Sequence, residues 1–232
     1  MPPCIIDTGH VSVEVGLADW TRERDASSRT DTVTSPGLLV RYGIDSRDEV
    51  QLGWDGIGHI RSRDFATGEV DKVSRAGDLT LRLRHNFVNP DGSGTSIAIA
   101  PYVTLPTGRA PVGAGDWGAG LDVPISIALN KTFSITSLPE IAAAVDQDGH
   151  GRHFEYGSTL GLALNLSEAF NGTIEFAAYH DLDPSGHSTQ AMLGAAAGFK
   201  VSDNLQFDAG SVFGLNHATA DVELYAGVSR RF

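Results

Sequence analysis

Along most of the chain, apolar and polar residues alternate one for one. Val11, Val13, Val15 and Leu17 enclose Ser12, Glu14 and Gly16, and Leu79, Leu81 and Leu83 enclose Thr80 and Arg82. Leu121, Val123, Ile125, Ile127 and Leu129 form a third such set, and Leu160, Leu162, Leu164 and Leu166 a fourth. A two-residue period assigns one set to each face of a β-strand, whereas an amphipathic helix needs a period near 3.6. About twelve runs of this kind can be marked, at approximately 10–20, 34–45, 48–60, 77–88, 95–106, 117–129, 132–146, 154–166, 170–181, 188–200, 204–215 and 221–232. Each is near the length of a tilted membrane-spanning strand, roughly 9–11 residues. Clusters of Gly, Asp, Asn, Pro and Ser punctuate them, and no segment sustains a helical period. The pattern predicts an all-β fold, with residues 1–232 in one domain and residues 1–9 as a short segment before the first strand.

The connections carry more information than the strands. Long ones such as "TRERDASSRTDT", "RSRDFATGEVDKVSRA" and "TGRAPVGAGD" alternate with short ones at Ser46-Arg47, Asn130-Lys131, Ser167-Glu168-Ala169 and Ser202-Asp203. A soluble sandwich has no reason to sort its turns this way. An outer-membrane barrel does, with short turns in the periplasm and long loops outside. An even strand number then puts both ends of the chain in the periplasm, which makes residues 1–9 a periplasmic segment. The aromatic residues agree. Trp20, Trp117, Phe154, Tyr156 and Tyr179 fall near the long-loop ends of their strands, and Phe87, Phe133, Phe170, Phe199, Phe207 and Phe232 near the short-turn ends. Two such bands match the two interfaces of a bilayer. The expected fold is a transmembrane, antiparallel, up-and-down β-barrel of about twelve strands in the outer membrane of a Gram-negative bacterium.

Bulk properties remove several alternatives. No apolar run approaches the roughly 18 residues of a membrane helix. The net charge of -12 and the absence of a Lys/Arg cluster exclude nucleic acid as a partner. The single cysteine, Cys4, rules out an internal disulfide. No secretory signal precedes "PPCIID", so a processed form with an added Met1 is expected.

If the apolar face meets lipid, the opposite face lines a lumen. The residues expected there are Glu14, Arg41, Asp78, Arg82, Arg84, Asp122, Glu140, Glu155, Glu175, Lys200, Asp208 and Glu223. Both signs are present with acids in excess, which favours cations or neutral solutes if a path is open. Ion pairing could instead close the lumen. Pro101, Pro124 and Pro139 each remove a ladder donor and are read as bulges in one wall.

Enzyme chemistry finds little support. "DQDGHGRHFE" and "HDLDPSGH" gather Asp146, Asp148, His150, His153, His180, Asp181, Asp183 and His187 in two outer loops, without the spacing of a zinc or calcium motif. They read as solvated loop residues. Ser158 near His153 lacks a nucleophile elbow. No catalytic residue, metal or cofactor is expected.

The stretches "GDLTLRLRHNF", "PYVTLPTGR", "GLDVPISIAL" and "YAGVSRRF" resemble the phenol meta-pathway degradation family of outer-membrane proteins, usually described as transporters. The resemblance covers nearly the whole chain from about residue 8. It implies a barrel that passes small, aromatic or hydrophobic compounds, and it supplies no catalytic residues. The terminal Phe232, with apolar residues at alternate positions before it, also looks like the signal by which such barrels engage the barrel-assembly machinery. The expected function is an outer-membrane channel or passive transporter, with membrane lipid and a small-molecule solute as partners. A closed structural or surface-binding barrel and an outer-membrane lipid hydrolase are the alternatives.

Overall fold

The computed structural model describes residues 2–232 and contains sixteen strand segments. They are β1 (Val11–Arg24), β2 (Ser28–Ser35), β3 (Gly37–Gly43), β4 (Asp48–Trp54), β5 (Ile57–Asp64), β6 (Val70–Ala76), β7 (Leu79–Val88) and β8 (Thr95–Leu105). After these come β9 (Gly118–Asp122), β10 (Ile125–Ala128), β11 (Phe133–Val145), β12 (Arg152–Asn165), β13 (Phe170–Asp181), β14 (Ser188–Ser202), β15 (Leu205–Gly214) and β16 (Val222–Arg231). Every strand pairing is antiparallel, and β16 returns to pair with β1, which closes the sheet.

The sixteen segments form twelve staves, because four staves are broken in two. β2 and β3 both pair with β1, on one unbroken register (Gly16 opposite Gly37, Asp19 opposite Thr34). In the same way β4 continues into β5, β6 into β7, and β9 into β10. Three of these breaks lie side by side, at Pro36, at Asp55-Gly56 and at Gly77-Asp78. Rungs are missing on both flanks of Pro36, which has no N–H to offer. Between the other two breaks the backbone stays tied, Asp55 N–H donating to Asp78 O at 3.1 Å and Gly77 N–H to Gly56 O at 2.8 Å.

Two expected loops are strands. β1 runs on to Arg24 and β2 begins at Ser28, while β5 runs to Asp64 and β6 begins at Val70. The charged stretches are therefore hairpins that rise beyond the bilayer. Asp25 closes one by accepting from the amides of Ser27 (2.6 Å) and Ser28 (2.7 Å), and Asp64 closes the other through Ala66 (2.8 Å) and Thr67 (2.7 Å). Outside the membrane both faces of a hairpin meet water, so the alternation that betrays a strand is absent.

The prolines also differ from expectation. None of the three shifts the register. Pro101 and Pro139 stay in line opposite Leu121 and Ser158, and Pro124 separates β9 from β10 without displacing either. The bulges lie between Gly16 and Ala18, between Asn86 and Val88, and between Lys200 and Ser202. A proline omits one donor; a bulge requires an extra residue, and these are separate events here.

Burial is inverted relative to a soluble protein. The fully buried side chains include Glu49 (1% exposed), Arg84 (2%) and Asn86 (0%), while the apolar residues buried among them are small, such as Ala98 and Ala100. Leu83 and Leu160 are each 54% exposed, as are many of their apolar neighbours around the wall. Large continuous apolar surfaces of this kind mark contact with something other than water; on a closed barrel that partner is lipid. Trp117, Phe154 and Tyr156 project outward at one end, and Phe87, Phe133, Phe170, Phe199, Phe207 and Phe232 at the other. Tyr179 does not join them. It shares the inward face with Thr159, whose hydroxyl lies 3.3 Å from the tyrosine hydroxyl. Replacing the lipid-facing Leu160 by Arg is expected to destabilise the barrel by about 2–4 kcal/mol, measured by denaturant unfolding in lipid vesicles.

Candidate functional site

The chain starts inside the barrel. Residues 2–7 lie within the periplasmic half of the lumen, fixed by side chains of β3, β4 and β7. Asn86 Nδ2 donates to Pro3 O (2.9 Å), Arg41 to Cys4 O (3.1 Å), and Ile6 N–H donates to the Glu49 carboxylate (2.9 Å). Glu49 is central. It receives Arg41 through two nitrogens at 3.0 Å, Arg84 at 3.1 Å and the Gln51 amide at 2.5 Å. Glu14 flanks Arg41 at 3.6 Å. Ser96 completes the cluster through Asn86 (3.0 Å). Gly43 has no side chain because a Cβ there would come within 2.3 Å of Ile6 O.

A second group spans β7, β8, β9 and β11. Arg82 pairs with Asp122 (3.1 Å) and lies 4.9 Å from the centre of the Tyr102 ring, while the Tyr102 hydroxyl donates to Glu140. Tyr102 rests on Gly120 of the next stave, where a Cβ would fall 2.4 Å from the phenol. The same arrangement recurs twice: Tyr179 lies over its cross-strand partner Gly157, and Tyr225 over Gly210.

Asp78 faces inward but is not a free charge. Its carboxylate accepts from the amides of Gly108 and Ala114, both at 2.7 Å, and so folds the 106–117 connection against the wall. Val112 of that connection covers Gly58, where a Cβ would approach to 2.6 Å. Lys200 lies at the periplasmic rim, exposed, beside Ser12, Arg230 and Arg231.

The rest of the inner wall is acidic. Glu140, Glu155, Glu175, Asp208 and Glu223 face inward, and among the described residues none has a cation within ion-pair distance. A cavity of about 590 Å³ is bordered by Glu14, Asp19, Asp208, Glu223 and Tyr225. A second, of about 390 Å³, runs toward the periplasm past Pro2, Asn165, Asn171, Glu175 and Gln206, and shares Asp208 and Tyr225 with the first. The first is also bordered by the lipid-facing Val15, Leu38, Trp54 and Val228, at the level where the wall has lost rungs around Pro36.

Several of these residues went unrecognised in the sequence. Asp19 was hidden by the bulge after Gly16, which inverts the parity of β1 and turns Asp19 inward in place of Ala18. Glu49 and Gln51 alternate with Val50 and Leu52, so their inward facing was readable, but not their role around a folded-in N-terminus. Phe232 ends the barrel seam, exchanging backbone hydrogen bonds with Val11 at 2.8 and 3.3 Å, and Arg230 lies 5.0 Å over its ring.

The outer loops converge, and the side chains of His153 and Asp183 are buried contrary to the expectation of solvated residues, while Asp148, His150 and His187 are exposed as expected. His153, whose side chain is 5% exposed, sits 2.9 Å from Asp146, 3.0 Å from Asp181 and 3.4 Å from Asp183. Asp146, His153 and Asp183 could present three metal-ligand atoms within 4.8 Å of one another. The hydrogen bond between His153 Nδ1 and Asp146 already engages two of those atoms. Asp183 also accepts from Gln147 N–H (2.7 Å) and Ser185 N–H (2.7 Å), linking the 146–151 and 182–187 connections.

Two outcomes follow. Glu49→Gln leaves Arg41 and Arg84 without a buried counter-charge, at a cost of about 3–5 kcal/mol, and should increase the reactivity of Cys4 toward a thiol reagent as the N-terminal segment loosens. The Ser185 hydroxyl and the Ser185 and Gln147 amides hold the Asp183 carboxyl below its ordinary value. A depressed carboxylate stabilises its partners above its unfolded pKa and loses that effect as pH falls through the folded value. Protease cutting of the outer loops should therefore rise only in acid below the ordinary aspartate range, and in Asp183→Asn at all pH values.

Solved structures with this architecture are outer-membrane proteins. The chain is similar to the COG4313 outer membrane channel from Pseudomonas putida F1, with a TM-score of 0.80 at 14% identity over 99% of this chain and 98% of that one. It is similar to the KdgM porin, with a TM-score of 0.58 at 8% identity over 96% and 99% of the two chains. It also matches the CymD monoaromatic hydrocarbon channel, with a TM-score of 0.51 at 10% identity over 97% and 88%. No curated protein sequence matches the chain. The lipid-facing exterior, the two aromatic bands and the closed twelve-stave barrel place the protein in the bacterial outer membrane. The family model described as "Putative MetA-pathway of phenol degradation" matches residues 2–232, and the chain belongs to that family.

Proposed function

We propose that the protein is an outer-membrane channel for small neutral or aromatic solutes, and that transport along its acidic inner wall is its whole chemistry. The observation that carries this reading is the pair of cavities along the acidic wall, one above the other, both bordered by Asp208 and Tyr225. On the opposite wall, arginines, carboxylates and the N-terminal segment interlock. Along the β13–β16 side the carboxylates have no cation to fill the space before them.

Such a path repels anions and admits cations or uncharged molecules. Three inward tyrosines, Tyr102, Tyr179 and Tyr225, offer ring faces and edges to an aromatic solute. The rungs missing around Pro36 make that stretch of wall the place where a solute with apolar surface would leave toward the bilayer. The phenol-degradation description of the family and the monoaromatic solutes named for CymD point to the same class. The N-terminal segment narrows the periplasmic mouth and favours small solutes over large hydrated ones.

Reconstitution into planar bilayers tests the reading. Wild-type protein should conduct with cation preference, and Glu175→Gln/Asp208→Asn/Glu223→Gln should lose most of that preference. Removal of residues 1–7 should raise conductance severalfold. A barrel that passes neither ions nor solutes in liposomes, with or without the segment, is the closed structural barrel instead.

A further inference from the structure

The protruding sheet of β1, β2, β5 and β6 has two unlike faces. Cross-strand register fixes which residues share each. Trp20, Val33, His59 and Ser74 lie in one outward row, in which Trp20 and Val33 are the final apolar residues before the charged rows. The next outward row is Arg22, Asp31, Arg61 and Lys72, and the one beyond it is Arg24, Arg29, Arg63 and Val70. The inward rows between them hold Thr21, Glu23, Thr30, Thr32, Ser62 and Asp71, without a cation; Arg75 lies lower, in the inward row of Gly58.

Contrary to the expectation of no Lys/Arg cluster, six of the chain's 17 Lys and Arg residues therefore gather on the outer face of one small sheet, brought together by strand pairing from separate stretches of a protein of net charge -12. Asp31 is the acid among them, bonded to Arg22 (2.7 Å) and Arg29 (3.0 Å), which leaves Arg24, Arg61, Arg63 and Lys72 without an acid partner among the described residues. Two arginines are seated on aromatics of the same face, Arg22 4.8 Å above Trp20 and Arg24 5.5 Å from Phe65. Seating on a ring holds a guanidinium in place with its donors turned outward.

Height decides the partner. Trp20 stands at the outer edge of the apolar band, opposite the exposed Leu224, where tryptophan marks the interface. Rows on one strand face are spaced by roughly 6–7 Å, and the headgroup zone beyond the hydrocarbon is roughly 5–8 Å deep on each side. The first cationic row stands in that zone and the second just above it, and both point sideways, away from the lumen.

We infer that this outward face is a binding site for the phosphorylated glycolipid of the outer leaflet, with Arg24, Arg61, Arg63 and Lys72 gripping its headgroup phosphates. Arg61 and its cross-strand partner Lys72 lie about 5 Å apart, close enough for both to reach the oxygens of one phosphate. A bound glycolipid would also cover the outer side of β6, the segment at the free edge of the broken staves. The inference does not depend on what passes through the lumen.

The test uses the full chain folded in neutral detergent, titrated with bisphosphorylated lipid A or with its dephosphorylated form, bound lipid being counted by native mass spectrometry. The phosphorylated lipid should bind at tenfold lower concentration or better, with the advantage shrinking as salt rises. Arg24→Gln/Arg61→Gln/Arg63→Gln/Lys72→Gln should abolish the advantage, whereas Glu23→Gln/Asp71→Asn, on the inward face of the same sheet, should keep it. If the quadruple variant does not fold, Arg63→Gln/Lys72→Gln is read by the same criterion. Equal binding of the two lipids, or an advantage that survives loss of the cations, overturns the inference. An advantage matched by equal competition from inorganic phosphate overturns it as well, since it would show a site for free anions.

Discussion

In hydrocarbon a backbone amide or carbonyl has no water to turn to, and each one left unpaired costs several kcal/mol. Everything else in this molecule is arranged around that requirement. The seam between β1 and β16 removes the sheet's edges within the membrane, and the Val11–Phe232 exchange carries the pairing to the last residue. Interruptions are tolerated where something else answers for the lost rungs. At Asp55 and Gly77 the neighbouring staves bond across the gap, and near Pro36 the Ser35 hydroxyl donates to Leu17 O at 2.6 Å. The staves broken side by side also continue as the sheet that stands above the bilayer, so the weakest stretch of wall lies under its tallest extension.

Closing the sheet with its apolar face outward forces the charged residues together inside, where they must find partners or remain wet. The interior does both, on opposite sides. Around Glu49 two arginines, an amide and the incoming N-terminal segment satisfy one another in a nearly dry cluster. Along the other wall the carboxylates remain uncompensated, which requires water or solute before them. One half of the lumen is thus a packed interior and the other a wet passage, and this asymmetry comes from where a few arginines fall along the chain.

The architecture was legible because a bilayer enforces two-residue alternation more strictly than water does. Strands such as β12 and β13, bathed in lipid along their length, announced themselves through Leu160, Leu162 and Phe176. The hairpins β1–β2 and β5–β6 did not, since above the membrane neither face is selected for apolarity, and a strand charged on both faces has the composition of a loop. Single-residue insertions were equally silent. The bulge at Leu17 reverses the facing of everything after it in β1 and conceals Asp19. Contacts between distant segments, such as Pro3 with Asn86 or His153 with Asp183, leave no local pattern at all. The acids Glu175, Asp208 and Glu223 needed only the parity of their own strands, but the company they keep depended on closure of the whole ring.

The pairing of each inward tyrosine with a glycine directly across the ladder has a further consequence. A phenol ring standing upright would reach toward the barrel axis; laid over Gly120, Gly157 or Gly210, it lies flat against the wall like a tile. The calibre of the tube is consequently governed by side chains that are missing rather than by those that are present. A single methyl group at any of these glycines would tip its tile inward, so the bore can be retuned over evolution by the smallest of exchanges without disturbing a strand.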